Sequence, residues 1–495
     1  MTSLPNAAEP TNPYITLPPE LLSMIFIACA DPPSGFSNRL HWVLSEKMQW
    51  IAVTHVCRYW RSVALGCVDL WRKLFFFNLD VTKEMIRRSK GANLEMIIGH
   101  SEQLLEPINK IIEMVLPELH RVSVLYLASY AESVQFLVDG FVHAAPKLES
   151  LCLYSAYSHD PDKRVRVPDV IFSRQTPALR SLELQQCIIT SPSPSSTFPS
   201  SNSQMVRIPS TISQIVSFLC RMTMLHTLTL VDVLPTHPLA DTGAYPKLVF
   251  PKLSQLVVTS SVVSCAILLQ HLVFPTTINI KLRCHTNPLS DYRRLFRAFL
   301  SAISNEKADF VISTLGLKIG STWIINSIDI LYTISHGYQS APTKVAFTFV
   351  TEGSDREIHQ DVFNAANIIL PPADAHRLDI KGYAPRWPIN FESLPNIRTI
   401  CFNTYKFPLE IVRTALGDNG HSHKLPHLCC LQFDNLAFSD EGTATLMNGL
   451  KHRLLSGFPI KNICLHACEL SEVDVTRMKE FVQDVEWDGH TGWRW

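Results

Sequence analysis

The sequence predicts an α/β fold, with a short N-terminal helical module followed by a solenoid of parallel strands on one face and helices on the other. Three observations carry this. From about residue 115 an apolar phrase opened by a proline or turn keeps recurring. Near the start, "LPPELLSMIF" forms a helix that is apolar on nearly all sides. At 495 residues and 46% hydrophobic, the chain can bury a large core, as separate domains or as one repeat array.

Taken in order, residues 1–14 ("MTSLPNAAEPTNPY") hold three prolines and no Lys, Arg or apolar run. They are expected to be disordered and cannot serve as a secretory signal, which points to the cytoplasm or nucleus. Pro18 and Pro19 suit the first turn of a helix, and Glu20 favours its positive end. This helix should run from Glu20 to about Cys29, with Leu21 and Ile25 on one side and Leu22, Phe26 and Cys29 on another. A second helix is expected from Lys47 to Leu65, placing Ile51, His55, Val56, Tyr59, Trp60 and Val63 along a broad apolar face. "DLWRKL" at Asp69 to Leu74 completes a module, residues 15–75, too small to hide so many large side chains. A partner is implied.

Over residues 76–495 the repeated phrase reads "PELHRVSV" (Pro117), "PKLESLCL" (Pro146), "PALRSLEL" (Pro177), "MLHTLTL" (Met224), "PKLSQLVV" (Pro251), "PNIRTICF" (Pro395), "PHLCCLQF" (Pro426) and "PIKNICL" (Pro459). Leu148 and Leu179 are 31 residues apart, as are Ile397 and Leu428. Each phrase reads as a short strand, and "TISQIVSFLCRM" and "EIVRTAL" read as helices between them. One such unit cannot bury its apolar side alone, so the units must stack. An ordinary α/β fold with unconnected strands is the competing architecture. Leu179 to Leu225 is longer, at 46 residues, and "TSPSPSSTFPSSNSQ", residues 190–204, accounts for the excess as a disordered insertion. Ser191 and Ser193 precede prolines, a phosphorylation pattern that a plain flexible loop shares.

Several functions are disfavoured. Lys+Arg and Asp+Glu both number 44, so no net charge attracts nucleic acid. Val257–Phe274 is uncharged but holds six polar residues and is followed by Pro275, which fits a strand and buried helix rather than a membrane span. Thirteen cysteines without a C-x-x-C pair fit reduced thiols. Cys464, His466 and Cys468 form too sparse a set for zinc, and no metal or cofactor is expected. "GHSEQ", Gly99 to Gln103, has the strand-to-helix setting of a nucleophile elbow but Gln103 in place of its second glycine, and Ser101 is explained as a helix cap. No phosphate loop or dinucleotide fingerprint appears, so the chain is expected not to be an enzyme.

The repeat phrases resemble leucine-rich repeats in an irregular form without the fixed asparagine. "LPPELLSMIF", "VCRYW" and "LW" resemble an F-box, the helical module that docks on the Skp adaptor of cullin-RING ubiquitin ligases. The longer link "ADPPSGFSNRLHWVLSEKMQ" and the ending "FVQDVEWDG" are similar to those of a fungal group of F-box-like proteins. The resemblance implies adaptor binding through Leu17, Pro18, Leu21, Ile25, Phe26, Val56, Cys57, Trp60 and Trp71. It also implies that the repeats hold a client protein, with ubiquitin transfer left to other subunits. A repeat scaffold with no ligase is the alternative, and packing of the same side chains onto the first repeats competes with adaptor binding. By period-two alternation, the residue after the last apolar position of each phrase faces the open side. At the C-terminal end these are Asn403, Asp434, His466 and, if "VEW" is a last strand, Asp488, a row that serves either as client site or as a solvated surface. Tyr154 and Glu183 are the fallback.

Overall fold

Every one of the eight repeat phrases leads into a strand of the computed structural model. The structure describes residues 17–30, 49–76, 79–98, 110, 113–114, 116–155, 164–190, 211–236, 247–287, 290–303, 311–321, 325–335, 342–352, 357–385, 387, 389–417 and 425–489. The expected disorder of residues 1–14, the insertion beyond Thr190 and the "GHSEQ" turn lie outside them. The chain divides into two compact units, Met1–Ile208 and Pro209–Trp495.

The first unit opens with α1 (Pro19–Ala30), a 3-10 turn (Gln49–His55), α2 (Arg58–Gly66) and a second 3-10 turn (Val68–Trp71). There follow β1 (Lys73–Phe75), α3 (Leu79–Ser89), β2 (Leu94–Ile98), β3 (Val122–Ser129), α4 (Ala131–Gly140), β4 (Ser150–Ser155), β5 (Val165–Pro168), β6 (Ser181–Gln185) and β7 (Cys187–Thr190). The strands β1-β2-β3-β4-β6 pair in parallel in that order. β5 and β7 form a separate parallel pair.

The second unit contains α5 (Ile212–Leu219), β8 (Thr227–Val231), β9 (Leu248–Val249), β10 (Gln255–Ser261), α6 (Val262–Gln270), β11 (Leu272–Val273), β12 (Asn279–His285) and α7 (Tyr292–Ala302). It continues with β13 (Val311–Ser321), β14 (Ile325–Ser335), β15 (Thr343–Glu352), α8 (Glu357–Ile369), β16 (Arg377–Gly382), β17 (Thr399–Thr404), α9 (Leu409–Leu416), β18 (Cys430–Asp434), α10 (Asp440–Leu455), β19 (Asn462–His466), α11 (Glu472–Met478) and β20 (Asp484–Trp487). The sheet order is β8-β10-β12-β15-β14-β13-β16-β17-β18-β19-β20. "VEW" is thus a final strand. The uncharged stretch Val257–Phe274 is the end of β10, α6 and β11, and Cys265, Ala266, Leu268 and Leu269 of α6 are buried. No helix among the described residues is long and apolar enough to cross a membrane.

One part departs from a wholly parallel array. β14 pairs antiparallel with both β13 and β15, while β15 and β13 pair parallel with the neighbouring repeat strands β12 and β16. These strands are 10 or 11 residues long, longer than the repeat strands, and successive ones are separated by only three and seven residues, fewer than a parallel crossover needs. The sheet continues through them because backbone pairing is available at both outer edges of the three-strand block. Gly382 closes the join. Its φ is +77°, and a Cβ there would run into the carbonyl oxygen of Ile319.

A recurring turn marks the repeat geometry. The residue just after β6, β8, β18 and β19 is Gln186, Asp232, Asn435 or Ala467, each with φ between 50° and 54°. Such a conformation costs a residue with a Cβ about 1–2 kcal/mol. The same cost recurs because each turn swings the following residue into the core, where Cys187, Val233, Leu436 and Cys468 are buried. The Cys468 thiol donates to the carbonyl of Phe433 in the preceding repeat, 3.2 Å away, and Cys187 points likewise at Leu153, 3.7 Å away. Burial pushes the Cys187 thiol up to about 12 and the Cys468 thiol to about 11.

A buried cation fastens the C-terminal repeats. Arg453, on α10, is wholly inaccessible. It donates to the carbonyls of Phe458 (3.0 Å), Ala415 (3.4 Å), Leu425 (3.0 Å) and Leu428 (3.2 Å). These acceptors come from α9, the approach to β18 and the turn after α10, places where carbonyls lie outside regular helix or ladder pairing. Burial lowers its pKa to about 10, so it remains a cation at neutral pH. Replacing Arg453 by Met removes the guanidinium donor from all four carbonyls, of which Leu425 keeps the Leu428 N–H. Urea denaturation should then show a loss of about 4 kcal/mol, at about 1–3 kcal/mol per orphaned group less some recovery by water. Arg453→Lys should rescue little of it, since an ammonium lacks the planar fork.

Candidate functional site

The N-terminal module is built on one inner face of α1. Leu22 and Phe26, four residues apart, are fully buried, and Phe26 meets Trp60 with ring centroids 5.2 Å apart. Trp71 is buried, its indole N–H donates to the Ala64 carbonyl at 3.0 Å, and Trp50 meets it edge-on at 5.1 Å. The Arg88 guanidinium lies 4.9 Å from the Trp71 ring centroid, joining this small core to α3. The Tyr59 hydroxyl donates to the Leu17 carbonyl at 2.8 Å, fixing the chain as it enters α1. The expected second helix is interrupted at Val56 and Cys57. Cys57 is extended (φ −157°, ψ 170°), and its sulfur accepts from the Trp60 N–H, so a new helix starts there instead of continuing the 3-10 turn.

On the outer side the same module leaves Leu21 47%, Met24 66%, Ile25 45% and Val56 60% exposed. Leu21, Met24 and Ile25 are at i, i+3 and i+4 and therefore share one face of α1. Among the described residues these four large apolar side chains lie outside the buried core of the module and leave much of their surface uncovered.

At the far end of the chain, the outward residues line up as alternation requires. Leu431 and Phe433 of β18 point inward, and Cys430, Gln432 and Asp434 point outward. Asp434 is the register partner of His466, and the imidazole Nδ1 lies 3.0 Å from its carboxylate. Gln432 donates its side-chain amide to both Asp434 oxygens, at 3.1 and 3.2 Å. Asn403 is exposed one residue past the paired Phe402 and Phe433, and pairs with Lys381 on its other side. Asp488 is exposed beyond the last strand and accepts the Ala467 N–H at 2.6 Å. Asp434 and His466 are therefore joined directly, whereas Asn403 and Asp488 flank them. Cys464 and Cys468 do not converge on His466, because Cys468 turns into the core. Among the described residues no group of three or more His, Cys, Asp or Glu could hold a metal ion. Around the fallback residues Tyr154 and Glu183, the neighbouring outward residues Tyr126, Ala128 and Cys152 are buried.

Residues 15–77 match the F-box-like family model. No curated protein matches the chain. The F-box-like segment takes in α1, α2, both 3-10 turns and β1, and its lengthened link, residues 31–48, lies outside the described residues.

Within the F-box-like segment the expected adaptor residues separate into two sets. Phe26 and Trp71 are core residues, which corrects their expected place on the docking surface: they fill the space between α1, α2 and the second 3-10 turn. Trp60 is half-buried against Phe26, and Cys57 caps α2. Leu21, Ile25 and Val56 are exposed, as is Pro18, and Leu17 is half-buried. Met24, more exposed than Leu21, Ile25 or Val56, was missed. Its position three residues after Leu21 was a signal in the sequence.

Substitution should separate the sets. Phe26→Asp buries a carboxylate in an apolar core and should cost more than about 4 kcal/mol, unfolding the segment. Ile25→Asp combined with Val56→Asp should change stability by less than about 1 kcal/mol, as surface changes do. Thermal denaturation of the full chain followed by circular dichroism checks both.

Proposed function

We propose that this chain is the substrate-recognition subunit of a Skp–cullin–F-box type ubiquitin ligase, with the F-box-like segment holding the Skp adaptor and the repeats holding a client protein. The observation that carries this is the exposed apolar set Leu21, Met24, Ile25 and Val56 on a segment that matches the F-box-like family. Burying such side chains against a partner is worth about 1.5–3 kcal/mol each. That is a sufficient anchor for a short helical module.

The repeats are read as irregular leucine-rich repeats. Supporting this, Cys187 and Cys468 occupy the position after the strand where leucine-rich repeats carry asparagine or cysteine, and their thiols approach the backbone of the preceding repeat. A left-handed residue, Gln186 or Ala467, directly precedes that position in both repeats. The open side, including Asn403, Asp434, His466 and Asp488, is the proposed client surface. No catalytic residues are assigned, since ubiquitin transfer would belong to other subunits, and the proposed compartment is the cytosol or nucleus.

Affinity purification of the tagged chain with proteasome and cullin activation blocked tests the proposal. The Skp adaptor and a cullin should be recovered with the wild-type chain, and the recovery should fall at least about tenfold with Ile25→Asp and Val56→Asp. Recovery of other proteins without adaptor or cullin would instead favour a repeat scaffold that works without a ligase.

A further inference from the structure

The open face of the second unit separates its charges along the order of the strands. β12, β15, β13 and β16 present Lys281, Arg283, Lys344, Lys318 and Lys381 outward, all exposed. Among the described residues none of these five side chains is in an ion pair. Arg377, also on β16, is neutralised by Asp379 at 2.8 Å. Asp329 is the register partner of Lys318 on β14, yet the two form no ion pair. On its other side Lys318 faces Lys381 directly. Farther along, β18, β20 and the residue after β20 present Asp434, Asp484, Glu486 and Asp488. The outward positions from β17 to β20 hold no Lys or Arg.

With 44 basic and 44 acidic residues in the whole chain, this is a matter of placement, not composition. Like charges directly opposite on paired strands destabilise a sheet, so the Lys318–Lys381 pair does not serve the fold. A surface shaped only for solubility mixes its signs. A nucleic acid, a uniform polyanion, would gain at the basic strands and be repelled at the acidic ones. A protein segment can match both.

We propose that this face binds an extended client segment of mixed charge order, its acidic half lying over Arg283, Lys318 and Lys381 and its basic half over Asp434, Glu486 and Asp488. This rests on the open face being the client surface. From β12 to β20 there are eight strand spacings, or about 38 Å at about 4.8 Å each, which an extended chain of about 12 residues covers. Charge order then selects the partner, since a segment laid the other way meets like charges at both ends.

The test uses the full chain and fluorescence anisotropy with three labelled peptides of about 12 residues: Glu/Gly followed by Lys/Gly, Glu/Gly throughout, and Lys/Gly throughout. A labelled single-stranded oligonucleotide is the fourth probe. The two-block peptide should bind tightest. Its affinity should fall at least about tenfold in Arg283→Glu/Lys318→Glu/Lys381→Glu, and measurably in the milder Arg283→Gln/Lys318→Gln/Lys381→Gln, which keeps the neutral shape of the surface. Unchanged affinity in both variants, no preference for the two-block peptide, or tighter binding of the oligonucleotide would overturn the proposal. Adaptor capture by the same preparations keeps the two proposals distinct. Capture without peptide selectivity overturns the charge-order inference alone, whereas absence of capture by the wild-type chain overturns the ligase assignment.

Discussion

The controlling constraint is that a five-residue strand has two sides and can bury only one of them by itself stacking on a neighbour in register. Leu431 pairs with Ile463 and Phe402 with Phe433, whose rings stack at 5.3 Å. Those inward contacts hold each repeat at one setting, because a shift of one residue would turn every apolar side chain outward. The outward row is fixed by the same step. Asp434 meets His466, and Lys318 meets Lys381, because Leu431, Ile463, Leu317 and Ile380 are locked beneath them. The core thus writes the chemistry of the open face.

The N-terminal segment solves the opposite problem. A helix apolar on nearly all sides has more apolar surface than a small module can cover. Leu22 and Phe26 are spent on the inner core with Trp60 and Trp71, and Leu21, Met24 and Ile25 are left outside. The two ends of the chain therefore present different chemistry, exposed apolar side chains at one and placed charge at the other. Arg453 and the left-handed turns show where the repeats accept local cost to keep their stacking: a buried cation held by four carbonyls, and strained residues that deliver the next side chain inward.

Much of this was legible. The eight phrases identify strands because proline, an apolar anchor and alternation coincide in each. β12 and β16 escaped because their approaches, "PTTIN" and "PADAHR", put Thr and Ala near the anchor in place of leucine. β13 to β15 escaped for another reason: separated by only three and seven residues, they do not follow the strand-plus-helix unit, although "VISTLGLKIGS" alternates as a strand should. The break at Cys57 depends on a sulfur capping a backbone N–H, which no apolar pattern records. In α1 the spacing showed two apolar faces. Which of them is the core was decided by Trp60 and Trp71, residues distant enough in sequence that periodicity could not assign them.

The central claim is that the outer face of the F-box-like segment is a docking surface for the Skp adaptor. Hydrogen–deuterium exchange of the full chain, with and without purified adaptor, tests it most directly. Added adaptor should slow exchange in Pro19–Ala30 and Arg58–Gly66 while β16 to β20 exchange as before. Protection confined to the repeat strands, or no change anywhere at saturating adaptor, would contradict it.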